Sequence, residues 1–128
     1  MEILSLDHIV LCVADVQRSI AFYSSLLGMR PREERPGKWS LHFGCNKISL
    51  QDAASAPGIA RETVAGSGNF CVLTSEPVEL FASELPAKGV EVAAGPGERD
   101  GATGRLLSVY FRDPDGNLVE VSNLLSAP

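Results

Sequence analysis

Glu120 is the one charge in the apolar run Leu118-Val119-Glu120-Val121. A carboxylate in such a strand is costly unless it is paired, hydrogen-bonded or bound to a metal. His8 has a similar setting near the other end of the chain, inside Leu6-Asp7-His8-Ile9-Val10-Leu11-Cys12-Val13. Successive side chains of a strand point to opposite faces, and this alternation sorts the polar residues. His8, Ser49, Gln51, Asn69, Cys71, Ser108, Tyr110, Arg112 and Glu120 fall on the face that each strand turns away from its helix. Ile48, Leu50, Val119 and Val121 take the other face. Imidazole, amide, phenol, guanidinium and carboxylate groups sharing one surface can bind a metal ion or a polar ligand. His42 sits beside Ser40 and alternates with Trp39, Leu41 and Phe43, so it is expected on the same surface as a ligand or proton shuttle.

Each of these residues also has a plainer reading. His8 can be a packed core histidine, and Glu120 can be paired with Arg112 or Arg105. Gln51 and Asn69 can be wall residues, and Tyr110 and Arg112 can serve cross-strand packing. Trp39, Phe22 and Tyr23 read most simply as core.

The elements that must position these groups come in a repeated order. A strand over Leu6–Val13 leads to Asp15, a good N-cap. Val16, Ile20, Tyr23 and Leu27 then mark an amphipathic helix ending at Gly28. Strands follow at Met29–Glu34, Lys38–Phe43 and Lys47–Asp52, separated by Pro36-Gly37 and Gly44-Cys45-Asn46. Residues 53–68, rich in Ala, Ser, Pro and Gly, read as a linker. A second strand, Asn69–Thr74, precedes a helix capped by Ser75 or Glu76 and starting near Pro77. Val78, Phe81, Ala82 and Leu85 lie on one face of that helix, and Pro86 ends or kinks it. A strand from Gly89 to about Ala93 follows, then a loop from Gly95 to Gly104. Within it, Arg99–Arg105 is read as a mobile connection. The last strands are Leu106–Arg112 and Asn117–Ser122, joined by the turn Asp113-Pro114-Asp115-Gly116.

The expected fold is therefore α+β: two paired β-α-β-β-β modules, about 4–52 and about 69–123, forming a curved mixed sheet around a cleft with the helices outside. All 128 residues belong to one domain in this reading.

A net charge of −5 and a pI near 4.9, with scattered basic residues, argue against a nucleic acid or an anionic membrane as partner. No stretch resembles a signal peptide or a membrane span. The three cysteines have no C-x-x-C spacing. Cys12 and Cys71 lie in apolar strands and are expected as buried thiols in a cytoplasmic protein.

LDHIVLCVADVQRSIAFYSSLLGM and SVYFRDPDGNLVEVSN resemble the two ends of the vicinal oxygen chelate superfamily. This is the group of glyoxalase I, bleomycin- and fosfomycin-resistance proteins and extradiol dioxygenases. The resemblance spans nearly the whole chain and implies paired modules, a homodimer and one divalent metal ion (Zn, Ni, Mn, Fe or Mg). It implies His8 as the first-strand ligand and Glu120 as the last-strand carboxylate, ligand or base. Gln51 then falls at the fourth-strand position and Asn69 at the fifth, where amides replace stronger ligands. Asn69, Tyr110, Arg112 and His42 become substrate contacts. The function so implied is a metal-dependent lyase- or dioxygenase-like enzyme acting on a small oxygenated molecule. The alternatives are a metal-free protein that binds and sequesters a small molecule, and a degenerate domain with only an interaction role.

Overall fold

A computed structural model describes residues 1–55, 60 and 63–125. Of the expected linker, residues 56–59 and 61–62 lie outside the described residues. The chain divides into two compact units, Met1–Gly66 and Ser67–Pro128.

Module one runs β1 (His8–Val13), α1 (Val16–Leu27), β2 (Arg30–Arg35), β3 (Lys38–Phe43) and β4 (Asn46–Asp52). Its sheet has the order β1-β4-β3-β2, with β1 parallel to β4 and the other pairs antiparallel. The Asp15 carboxylate accepts the Arg18 N–H at 3.0 Å and opens α1. Gly28 closes it in the left-handed region at φ 66°, where a side chain would be strained. Ser19, Ile20 and Tyr23 of α1 are buried with Leu11, Val13, Leu41, Ile48 and Leu50 of the sheet.

Module two repeats the order as β5 (Asn69–Leu73), α2 (Val78–Glu84), β6 (Val92–Asp100), β7 (Arg105–Arg112) and β8 (Leu118–Leu124). The sheet order is β5-β8-β7-β6, again with one parallel pair, β5 with β8. Val78, Ala82 and Leu85 are buried with Leu106, Val109, Phe111, Val119 and Val121, and the Phe81 ring lies 5.8 Å from that of Phe111. The α+β class and the doubled β-α-β-β-β order are as the sequence implies.

Four local expectations are corrected. Neither Ser75 nor Glu76 caps α2. Pro77 holds the N-cap position without a side-chain bond, and the cap comes from β8, where Asn123 Oδ1 accepts the Val78 N–H at 2.9 Å. Residues 95–100 are not a loop but the second half of β6. This is an edge strand, so Pro96 costs no ladder bond there, and register shifts absorb Gly95 and Gly97. Arg99–Arg105 is not a mobile connection, because Arg99, Asp100 and Arg105 belong to strands. Residues 101–104 close a tight turn in which the Gly101 N–H donates to the Gly104 carbonyl at 2.9 Å. The cysteines are free as expected, but Cys71 is exposed and Cys12 only half-buried, because both stand on the face away from the helix.

The β7–β8 turn is a buried hydrogen-bond knot. Asp113 is 5% exposed and Asn117 fully buried. The Asp113 carboxylate accepts the N–H groups of Asp115 and Asn117, both at 2.9 Å, and the Asn117 side-chain amide at 2.8 Å. The Asn117 side-chain Oδ1 accepts the Gly68 N–H at 2.7 Å, and the Gly68 carbonyl accepts the Leu118 N–H at 2.9 Å. The turn thus holds the start of β5 against the start of β8. Asp113→Ala orphans two buried donors and one part-buried donor and is expected to destabilise the protein by about 2–4 kcal/mol in urea unfolding.

Candidate functional site

Each sheet keeps one face for its helix and leaves the other lined with polar groups. On the module-one face, Val10 is 56% exposed and the His8 side chain 40%. His8 Nδ1 lies 2.7 Å from the Asp7 carboxylate. Ser49 and Gln51 stand on this face as expected, opposite buried Ile48 and Leu50. The register, however, separates His8 from Gln51. In the parallel β1–β4 pair, His8 lies opposite Lys47 and Gln51 opposite Cys12. Four residues of strand, about 13 Å, lie between the two rows. Side chains standing off the sheet do not converge over that distance.

The repeat shows which residue takes the equivalent place. Glu120 lies opposite Cys71, two residues beyond Asn69 on β5. The module-one counterpart is Ser49, opposite Val10, two residues beyond His8 on β1. Where module two has a carboxylate, module one has a hydroxyl. Among the described residues, no three His, Cys, Asp or Glu side chains gather where they could hold a metal.

His42 does face this surface, but as part of a network the sequence reading missed. The Glu34 carboxylate accepts from Ser40 Oγ at 2.6 Å, faces His42 Nε2 at 3.1 Å and accepts from Lys47 Nζ at 3.2 Å. The Ser40 hydroxyl, followed by His42 and Lys47, holds the Glu34 carboxyl at a pKa of about 2. Glu34 reaches this face by ordinary alternation, two residues beyond Arg32, which pairs with Ser40. A cavity of about 480 Å³ opens here, lined among others by Glu34, Lys47, Ser49 and Gln51. Trp39 lines it too and is only partly buried, so it is not the core residue expected. The available signal was alternation itself, which puts Glu34 with Arg32 on the face of Ser40 and His42 once β2 is paired with β3.

On the module-two face, Cys71, Glu120 and Tyr110 lie in one row across β5, β8 and β7. Ser122 Oγ donates to the Glu120 carboxylate at 3.3 Å, lies 3.3 Å from Cys71 Sγ and 2.6 Å from buried Ser108 Oγ. Arg99 stacks over the Tyr110 ring at 5.4 Å. Burial raises the Tyr110 phenol, and Glu120 raises it further by hydrogen bond and charge, against an opposing effect of Arg99. Burial likewise pushes the Cys71 thiol up, which disfavours the thiolate at neutral pH. Asn69 is exposed at the start of β5. Arg112 is also exposed and donates to the Gly116 carbonyl at 3.2 Å. Arg105 pairs instead with Asp100 and Glu98. Neither arginine is the partner of Glu120 among the described contacts.

The family model of the Glyoxalase/Bleomycin resistance protein/Dioxygenase superfamily matches residues 5–121, and the chain belongs to that superfamily. It is 41% identical over 119 residues to virulence protein STM3117 of Salmonella typhimurium, covering 91% of this chain and 82% of that protein. The crystal structure of that protein superposes with a TM-score of 0.92 at 38% identity, covering 98% of this chain and all of the other. The glyoxalase domain-containing protein RDO1 of Mycosarcoma maydis is 35% identical over 128 residues, 99% of this chain and 72% of RDO1. An integron cassette protein from the mobile metagenome of V. cholerae superposes with a TM-score of 0.90 at 39% identity, covering 96% of this chain and 97% of the other.

Two titrations check these networks. The unfolded chain protonates Glu34 below about pH 4.5, whereas the folded chain refuses that proton until about pH 2. The stabilisation from the network is therefore complete above pH 4.5 and is lost as pH falls from there toward 2. Glu34→Gln is expected to flatten this part of the acid-unfolding curve. Glu120→Gln removes the negative charge beside Tyr110, so the phenol should titrate at lower pH, read by tyrosinate absorbance; an unchanged midpoint would contradict the contact.

Proposed function

We propose that this protein binds a small oxygen-bearing molecule directly, through the polar face of each sheet. The observation that carries this reading is the pairing register. It puts Ser49 at the position equivalent to Glu120 and leaves Gln51 four residues along from His8. The equivalent positions then carry an imidazole and a hydroxyl on module one, and an amide and a carboxylate on module two. Hydroxyl and amide oxygens are weak, uncharged ligands for a divalent ion, and this set does not fit the resident metal of a lyase or dioxygenase. The same groups suit a ligand rich in carbonyl and hydroxyl oxygens. In this role Glu120, Tyr110 and Asn69 are the contacts on the module-two face, and His8, Gln51 and His42 are those on the separate module-one face.

A second reading, a metal-dependent lyase- or dioxygenase-like enzyme, is favoured by the survival of His8 and Glu120, an imidazole and a carboxylate, on the helix-free faces of their strands. We further propose a cytoplasmic homodimer of single-domain chains. The free thiols support a reducing compartment. Among the described residues no helix is long and apolar enough to cross a membrane.

Elemental analysis of the purified protein, combined with a thermal-shift screen of small metabolites, separates the two readings. The first expects substoichiometric metal, and a ligand that raises the melting temperature of chelator-treated protein and loses affinity in Glu120→Ala. Stoichiometric metal that disappears in both His8→Ala and Glu120→Ala, with turnover of the ligand, would establish the second and remove the first.

A further inference from the structure

The module-one cavity gathers positive charge on a protein whose net charge is −5. Arg35, Lys38 and Lys47 line it with a single carboxylate, Glu34. That carboxylate is already satisfied: Ser40, His42 and Lys47 all approach its Oε1, and Arg32 lies 3.7 Å from Oε2. Lys47 is consumed in the same network. Among the described residues, no hydrogen bond or ion pair engages the Arg35 or Lys38 side chain.

A local irregularity of the backbone puts Arg35 there, and alternation along β3 puts Lys38 on the face of Ser40 and His42. Neighbours on a regular strand point to opposite faces, yet Glu34 and Arg35 both line the cavity. The register shift between Glu33 and Arg35 inserts an extra residue, and a bulge of this kind re-aims the side chains beside it. Lys38 follows immediately after the turn at Gly37, whose φ of 76° suits glycine. Val10 and Trp39 add apolar surface to the lining, and Ser49 and Gln51 add neutral hydrogen-bonding groups. A volume of about 480 Å³ is in the range of small-molecule sites.

From this we infer that the module-one cavity is a binding site for a small organic anion. Arg35 and Lys38 receive its carboxylate or phosphate end, Ser49 and Gln51 its neutral oxygens, and Trp39 with Val10 its carbon skeleton. Guanidinium and ammonium groups form charge-assisted hydrogen bonds with either kind of anion. The inference rests on the reading that the protein binds a small molecule, and it specifies the charge of that molecule.

Trp39 is the only tryptophan of the chain and lines the cavity, so its fluorescence reports occupancy. Succinate, methyl phosphate and the uncharged analogue succinamide are titrated into the protein. At least one anion should change the emission saturably, succinamide should not, and the stronger of the two anions identifies the head group. Added sodium chloride should weaken the response by screening. The double variant Arg35→Gln, Lys38→Gln should bind roughly tenfold or more weakly, at unchanged circular dichroism, through loss of two charge-assisted contacts. Glu34→Gln should bind the anion at least as well as wild type, because it releases Lys47. Equal responses to succinate and succinamide, no response to either anion, or wild-type affinity in the double variant would each overturn the site. A screening hit that binds wild type and double variant alike removes the anion site but keeps the binding reading. Stoichiometric metal with turnover removes the binding reading, while loss of anion response in the double variant still stands.

Discussion

In both modules the strand before the helix and the last strand of the repeat run parallel, and nothing local joins them in sequence. The contact that fixes their relative position is a side-chain amide, buried in module two and exposed in module one. In module two, Asn117 is clamped by the Asp113 carboxylate and accepts the Gly68 N–H just before β5. Because that bond sets where β5 starts along β8, it decides that Cys71 rather than its neighbours faces Glu120. A one-residue slip would send every polar group of β5 to the helix side. Module one uses a looser form of the same device: Asn46, at the start of β4, donates to the carbonyls of Leu6 and Asp7 at 3.4 and 3.5 Å. The shorter Gly44-Cys45 connection has no counterpart of the Asp113 carboxylate to fix that amide.

The two modules share this frame and differ in what they mount on it. The module-two face carries a phenol, a carboxylate, two hydroxyls and a thiol, close enough to perturb one another. The module-one face carries an ion-pair network around Glu34 and two cations beside it. Superfamily membership follows from the frame and from the motifs at its two ends. Chemistry follows from the mounted groups, which a fold alone does not determine. At position 49 the repeat puts a hydroxyl where module two has a carboxylate.

Much of this was legible in the sequence because strand alternation and helix capping are local. Alternation put His8, Ser49, Gln51, Tyr110 and Glu120 on the helix-free faces, and Asp15 and Gly28 bounded α1. What local rules missed depends on partners distant in the chain. The α2 cap is Asn123, 45 residues from the N–H it accepts. The second half of β6 looked like a loop because Gly95-Pro96-Gly97 is turn-like, and only its place at the sheet edge makes it a tolerable strand. The turn of Arg35 onto the face of Glu34 needed the bulge in β2, since alternation alone separates the two. Gln51 was misaligned with His8 because the parallel register is not written in either strand.

Two of the edge strands, β2 and β6, carry irregularities. β2 reads Arg-Pro-Arg-Glu-Glu-Arg, exposed throughout, with an interrupted ladder, and β6 contains Pro96 and two register shifts. Neither offers the uninterrupted row of amide and carbonyl groups on which a foreign strand could zip into a growing fibril. The same distortion that turns Arg35 toward a cavity thus also guards its sheet against runaway polymerisation. Among the described residues, the edge strands without register shifts are β1 and β5, where a backbone-to-backbone assembly would meet the fewest interruptions.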